Sequence, residues 1–422
     1  MAWSVYVTGW RDDRIIDEIP ASGIEYQREI SEHSKCAFTL PIPRGGASWL
    51  SIVRPLMTGV LVCEDDQVRW GGAVMARPRS GERSYRVDCA GWSTHWDDLY
   101  FTPDFGIPDG LVGRDRSRIV EFIARAVTSR PGADWPLELQ VTDSGQTTDV
   151  IEDVQAASMK SVMAVIRDVC APTDAPEWTM SVEGTATHPR RILRVAPRLG
   201  RRSVAQSRIL LDFAAEAGRA TPPSPRSRDR SATVLGNLYP TADQIFWTPP
   251  GSSVPVRRHG GNVLVDPGDD MTGSGSATRV WTTPEPADRD QTGDPGRASS
   301  DALLKAGYPL RELVADAPAD PTKAGRDRYA AGILQARSGF ATTWRFSTFA
   351  GDPPLSEVQL GDQAGVVIES DAYSWTPPGQ DPQPLSFETR LTGISVAPDD
   401  DAGASTAIVN YTSVTPAGAL GY

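Results

Sequence analysis

Val60-Leu61-Val62-Cys63 and, after a short polar break, Trp70-Gly71-Gly72-Ala73-Val74 are the stretches that decide how this chain folds. The first is a continuous apolar run of strand length, the pattern of a strand covered on both faces. The second sets two glycines inside a strand pattern, a mark of a bulge or of a barrel corner. Working outward, Phe38-Thr39-Leu40-Pro41-Ile42 and Tyr85-Arg86-Val87-Asp88-Cys89 alternate apolar and polar residues. That period of two buries one face of a sheet. Short strands with turn residues between them predict a small barrel or sandwich at the start of the chain.

The pattern then changes period. Ile119, Phe122, Ile123, Ala126 and Val127 recur at helical spacing, with Ser117 placed to cap the helix and Pro131 to end it. Met159, Val162, Met163, Ile166, Val169 and Cys170 make a second stripe, predicting a helix over 158–170 stopped by Pro172. Strand-like segments return at 178–182, 192–195 and 209–213. Residues 220–230 read as a polar, proline-broken linker. The stretch 249–300 is dense in Gly, Pro, Asp, Ser and Thr around islands such as Val263-Leu264-Val265 and Val280-Trp281, which predicts long loops over a thin sheet. A helix over 324–337, with Tyr329, Ala330, Ile333 and Leu334 on one side, precedes strands at 343–349, 366–368 and 387–396. Asp399-Asp400-Asp401 and the small residues after it predict a solvated C-terminal tail.

The chain has 422 residues, enough for several domains. Its 38 glycines and 35 prolines demand many turns and favour a β-rich fold over a helical one. The formal net charge of -12 argues against tight binding to nucleic acid, which draws its affinity from Lys and Arg on phosphates. The same acidity suits either a channel wall past which DNA slides or simple solubility. Lysine occurs only at Lys35, Lys160, Lys305 and Lys323, a skew toward arginine that points to a GC-rich genome rather than to chemistry. No basic segment leads into a long apolar one at the start, and no stretch reaches the ~20 apolar residues of a membrane span, so synthesis in the cytoplasm without membrane insertion is expected.

The search for chemistry yields an expectation of no enzyme, no cofactor and no metal, and no site residue of these kinds is assigned. His33, His95, His188 and His259 lie far apart with no zinc-ligand spacing. Cys36, Cys63, Cys89 and Cys170 form no CxxC pair and read as buried free thiols. There is no GxSxG elbow and no phosphate loop; Gly273-Ser274-Gly275-Ser276 reads as a flexible loop. Asp288-Arg289-Asp290-Gln291-Thr292-Gly293 opens like a calcium loop, but Ser299 stands where the closing Glu belongs, so an acidic turn is expected. Asp266-Pro267-Gly268-Asp269-Asp270 reads the same way. Trp92 and Trp96 beside Asp97-Asp98 could form a sugar-stacking platform with a carboxylate pair, or could close the end of the first barrel; the second reading is preferred.

Several of these segments, in this order, resemble the baseplate-hub and tail-tip proteins of long-tailed bacteriophages. The resemblance rests on Ile24 to Ile30 leading to Phe38-Thr39-Leu40-Pro41, on Val60 to Gly72 with its tryptophan and glycines, and on Val87 to Tyr100. Near the other end it rests on Pro354-Leu355-Ser356-Glu357-Val358-Gln359-Leu360-Gly361-Asp362 followed by Val366-Val367-Ile368. It covers roughly the first quarter and the last fifth of the chain. It implies a mainly β fold with an α+β insertion: two β-barrel-like hub domains, the first over 1–102 and part of the second over 340–400. Between them fall a mixed α/β domain over 103–219 and a loop-rich region over 220–339, with a tail over 401–422. It further implies a homotrimer at the distal tail tip of a virion, in which barrels alternate around the DNA passage. The implied partners are a distal tail protein or the tail tube, a tape measure protein, tip or fibre proteins, and passing DNA that is not specifically bound. Abundant arginine would suit bidentate bridges at the subunit contacts of such a ring. The competing readings are a receptor- or cell-wall-glycan-binding tail module and a tail-associated cell-wall hydrolase.

Overall fold

The computed structural model describes residues 3–42, 48–101, 113–147, 160–170, 175–200, 204–207, 209–214, 246–247, 256–257, 263, 268–272, 277–284, 295–305, 310–317, 323–337, 341–349, 353, 355–369, 385–398 and 407–415. The first part supplies β1 (Trp3–Gly9), β2 (Ile15–Ile19), β3 (Ser22–Glu29), β4 (Lys35–Pro41), β5 (Thr58–Glu64), β6 (Gln67–Ala76), β7 (Arg79–Gly81) and β8 (Ser84–Gly91). These hydrogen-bond antiparallel in the order β2-β1-β5-β6-β8-β4-β3, with β7 on β8. As the unbroken apolar run predicts, every residue of β5 is buried. Val60 and Val62 face one hydrophobic cluster and Leu61 and Cys63 face another, so the sheet separates two cores. The ladder shifts register between Val62 and Cys63 and again between Val74 and Ala76, on either side of the glycine pair. A Cβ on Gly72 would lie 2.2 Å from the Ala90 carbonyl oxygen, so close approach of β8 is what demands glycine there.

The second core is built by the insertion. It contains α1 (Arg116–Thr128), β9 (Glu138–Val141), α2 (Val162–Cys170), β10 (Glu177–Thr185) and β11 (His188–Ala196). Helix α1 buries Ile119, Val120, Ile123, Ala124 and Val127. Its cap is Asp115 rather than Ser117: the Ser117 N–H donates to Asp115 Oδ1 at 2.9 Å. The expectation missed this because both residues are good caps two positions apart, and Asp115 also ties down Ser144 and Gly145. Burial alone would raise the Asp115 pKa, but the bonds from Ser144, Ser117 and Gly145 hold it below the usual carboxylate value. Helix α2 buries Val162, Met163, Ile166 and Val169 of the expected stripe; Met159, Pro172 and the linker 220–230 lie outside the described residues. β11 pairs antiparallel with β10 and parallel with β9.

The remaining elements are α3 (Val204–Ser207), β12 (Ile209–Ala214), the short pair β13 (Phe246–Trp247) and β14 (Val256–Arg257), and β15 (Gly268–Thr272). Then come β16 (Arg279–Pro284), β17 (Gly296–Ser299), α4 (Asp301–Lys305), β18 (Glu312–Ala317) and α5 (Lys323–Arg337). β16 to β18 form their own three-stranded sheet in the order β17-β16-β18. Val280 of that sheet packs with Ala330 and Leu334 of α5. Last come β19 (Ala341–Phe349), β20 (Gln363–Glu369), β21 (Leu385–Pro398) and β22 (Ala407–Thr415), paired as β20-β21-β22-β19-β15. Among the described residues β12 pairs not within the insertion but parallel beside β20, where Ile209 and Leu211 share a core with Val366 and Ile368. β21 is the seam of the molecule. Its first half pairs with β20, and Gly393–Val396 pairs with Glu29–Tyr26 of β3.

The chain is thus mainly β with an α+β insertion between two β units that share one continuous ladder. Among the described residues no helix is long and apolar enough to cross a membrane. Two expectations are corrected. Asp269 and Asp270 are not in an acidic turn but in β15, opposite Trp344 and Thr343. The tail expected over 401–422 contains β22, an interior strand paired with both β19 and β21. Val409 and Tyr411 are fully buried, while Ile408 and Asn410 face out, a period of two that the neighbouring aspartates and small residues obscured. Tyr411→Ala should therefore destabilise the protein by roughly 3–5 kcal/mol, the cost of emptying a large aromatic site in a core, as read by chemical denaturation; a change below ~1 kcal/mol would place this strand outside the cooperative fold.

Candidate functional site

Three constellations of polar and aromatic side chains arise where the insertion meets the two β units. In the first, the turn after β3 brings His33 onto a 3-10 turn at Trp92–Asp97 and onto α2. His33 Nδ1 lies 2.7 Å from Ser93 Oγ, and its Nε2 lies 2.7 Å from Asp97 Oδ2 and 2.8 Å from Arg167 Nη2. Serine, histidine and carboxylate in sequence have the outline of a nucleophilic triad. The surroundings argue for a clamp instead. Ser93 is only 2% exposed, so its hydroxyl offers no approach to a substrate. The Arg167 guanidinium sits against Nε2 of the same ring, where its charge opposes the imidazolium that would form if Nδ1 took the Ser93 proton. Burial lowers the His33 pKa, with Asp97 opposing and Arg167 reinforcing that shift. What the cluster does is join the first sheet, the 3-10 turn and α2; Ser31 N–H to the Trp178 carbonyl at 2.8 Å extends the joint to β10.

The second constellation is Arg191, a fully buried arginine on β11. It donates to Asp13 Oδ1 from Nη2 at 2.6 Å and to the Trp10 carbonyl at 2.7 Å. Its guanidinium lies 3.5 Å from the centre of the Trp92 ring and 5.2 Å from that of Trp135. A desolvated cation over an indole face gains about 2 kcal/mol, which offsets part of the cost of burying the charge. Burial pushes the Asp13 carboxyl up and Arg191 down, and the hydrogen bonds between them work against both shifts. A cleft of about 890 Å³ opens beside this pair, between the β1–β2 turn, the start of β9 and the β10–β11 hairpin. Across it Arg190 bridges Glu138 at 3.2 Å.

The third constellation joins insertion to second β unit. Arg390 of β21 forms a two-pronged ion pair with Glu177 of β10. Arg390 also donates to the Leu199 carbonyl at 3.1 Å, while the Leu199 N–H donates to Glu177 at 2.8 Å. Gly361 has φ +88°, and a Cβ there would lie 2.0 Å from the Leu199 oxygen. The Leu360-Gly361-Asp362 motif is therefore a docking turn: Asp362, fully buried, accepts the Gln359 N–H at 2.9 Å, and its carbonyl takes the Leu391 N–H.

The sugar-platform reading of Trp92 and Trp96 is overturned. Both are buried, at 2% and 0% exposure, and pack on Trp135 at 6.1 and 6.2 Å between ring centres. Cys36, Cys63 and Cys89 are buried free thiols and Cys170 is a half-buried one; burial raises the thiol pKa of all four, to about 12 for Cys63 and Cys170. Among the described residues no group of three His, Cys, Asp or Glu side chains could hold a metal ion. The Gly273–Ser276 and Asp288–Gly293 segments lie outside the described residues. Sequence reasoning had no handle on Asp13–Arg191 or on Ser93–His33, because the partners lie far apart along the chain.

No protein-family model matches the sequence, and no curated protein matches it. Among solved structures the chain is similar in fold to the 43 kDa tail protein of prophage MuSo2 from Shewanella oneidensis, with a TM-score of 0.53 and 9% identity over 97% of each chain. It is also similar to a tail protein from Neisseria meningitidis MC58, with a TM-score of 0.54 and 9% identity over 100% of this chain and 98% of that one. The likeness, at such identity, is one of fold, and it runs through both β units and the insertion.

Two outcomes follow. Asp13→Ala should destabilise the protein by roughly 3–5 kcal/mol, because it strands a buried guanidinium, and adding Arg191→Met should restore much of the loss. A double variant no better than the single one in chemical denaturation would contradict the pairing. Burial also lowers the pKa of His95, against Asp98. With His33 and His95 both held below their ordinary value of 6.5, the unfolded chain binds more protons in that window. Stability should then fall as pH drops below 6.5, down to the lowered folded values, and His33→Gln should flatten that slope in a thermal-melt series. A slope unchanged in the variant would remove His33 from the account.

Proposed function

We propose that this chain is a non-enzymatic structural protein of a phage tail or a related tail-like device. The observation that carries the reading is the end-to-end likeness in fold to two tail proteins, which spans almost all of each chain. In finer form, the proposal is a homotrimeric hub at the distal end of the tail, joining the tail tube to the tip with its two β units alternating around the DNA passage. The shared ladder through β21 supports it: it couples the two β units of one subunit into a rigid pair, as such a ring requires. The net charge of -12 supports a wall past which a polyanion slides. The partners on this reading are a distal tail or tube protein, a tape measure protein and tip or fibre proteins, and the location is the virion tail tip. Arginines at the subunit contacts would make bidentate bridges to acidic neighbours.

Deleting the gene from its own genome should yield particles without functional tails. Quantitative mass spectrometry of purified wild-type particles should find three copies per tail. Intact, infectious tails in the deletion, or absence of the chain from purified particles, would contradict the proposal.

A further inference from the structure

Seven large hydrophobic side chains are exposed among the described residues, and only Leu56 and Met57 are adjacent. They are 60% and 63% exposed and stand at the tip of the turn that leads into β5. Leu56 has φ +60°, a left-handed conformation that costs a leucine energy and is held only when its surroundings impose it. They do. The Leu56 N–H donates to the Val74 carbonyl at 2.8 Å and the Met57 N–H to the Arg54 carbonyl at 3.2 Å. Thr58 Oγ1 accepts the Arg54 N–H at 3.0 Å and donates to the Ile52 carbonyl at 2.6 Å. Arg54 Nε reaches the Ser51 carbonyl and Arg77 Nη1 reaches the Val53 carbonyl. Beneath the tip, Val53 and Trp49 are buried.

A strained, rigidly pinned turn that presents two bare apolar side chains gains nothing for the isolated fold. Its rigidity does lower the entropy lost on association. Residues 48–58 include Arg54 and no acid, and Arg77 underlies the same turn, so the tip is basic on a chain whose net charge is -12. The surface most complementary to a basic-rimmed apolar tip is an acidic one, and a second copy of this chain, with a net charge of -12, is acidic overall.

We infer that Leu56 and Met57 form a preorganised knob that seats on a second copy of this chain. The inference rests on the trimeric reading above and names a contact within it. Occupation by an unrelated acidic protein or by lipid is the alternative that the test excludes or reveals.

The test is sedimentation velocity of the full chain over a dilution series, for wild type, Leu56→Gly and Met57→Asp, with a thermal melt of each at a dilution where all three are monomeric, so that loss of assembly does not itself lower the melt. Wild type should be a trimer, and each variant should need at least ~10-fold more protein to assemble, the scale of a lost central contact. Leu56→Gly should melt no lower than wild type, because glycine adopts the left-handed backbone freely. Trimers that resist dilution equally in all three proteins would overturn the knob and leave the trimeric reading standing. A Leu56→Gly protein that assembles poorly but also melts lower would overturn the knob as well, since folding would explain the loss. Wild type that stays monomeric at every concentration would overturn the trimeric reading itself.

Discussion

The rest of the structure depends on one ladder, the pairing of Gly393–Val396 in β21 with Tyr26–Glu29 in β3. β21 is fourteen residues long, and its two halves serve different neighbours on the same edge. The change of neighbour falls beside the register shift between Leu391 and Gly393 on its other edge. A bulge at that place turns the strand, so that it leaves β20 and meets β3 without breaking the pairing with β22. Because of it, residues from both ends of the chain, Val5 and Val7 with Val396 and Val409, enter a single hydrophobic cluster. The two β units cannot move independently unless that core opens.

The insertion is fixed to this frame by electrostatic and aromatic joints rather than by apolar packing alone. Arg390–Glu177, Arg191–Asp13 and the His33 cluster each bind one element of the insertion to one strand or turn of the β units. The buried pair Arg191–Asp13 adds little net stability against an apolar replacement, but breaking it is costly, so it acts mainly to fix relative geometry. On the proposed structural reading, a protein that holds neighbours at set angles needs that property more than it needs extra stability. The same contacts disfavour a nucleophilic use of Ser93 and His33, since the Arg167 contact and the burial of Ser93 that suit a clamp do not suit a nucleophile.

Much of the fold was legible from local patterns. The apolar run of β5, the alternation in β4 and β8, and the stripes of α1 and α2 each follow from a period that tertiary context did not overrule. The Leu360-Gly361-Asp362 motif was also visible, though its role as a docking turn against Leu199 was not. The failures have identifiable causes. β22 was hidden because polar Asn410, Thr412 and Ser413 share its length with Val409 and Tyr411, and aspartates precede it. β12 reads as part of the insertion by position, but its parallel partner β20 lies far downstream, and local pattern carries no information on such pairing. The buried clusters were invisible for the same reason: Asp13 and Arg191 are unremarkable charges until the fold makes them neighbours. Trp92 and Trp96 were resolved by burial, which sequence can suggest and only packing decides.

The most direct measurement is a cryo-EM reconstruction of tails from the particle that carries this chain. The account predicts three copies in a closed ring at the distal end of the tube, with the β units around the channel. Density for the chain at the periphery, or in a number that does not close a ring around the channel, would contradict it.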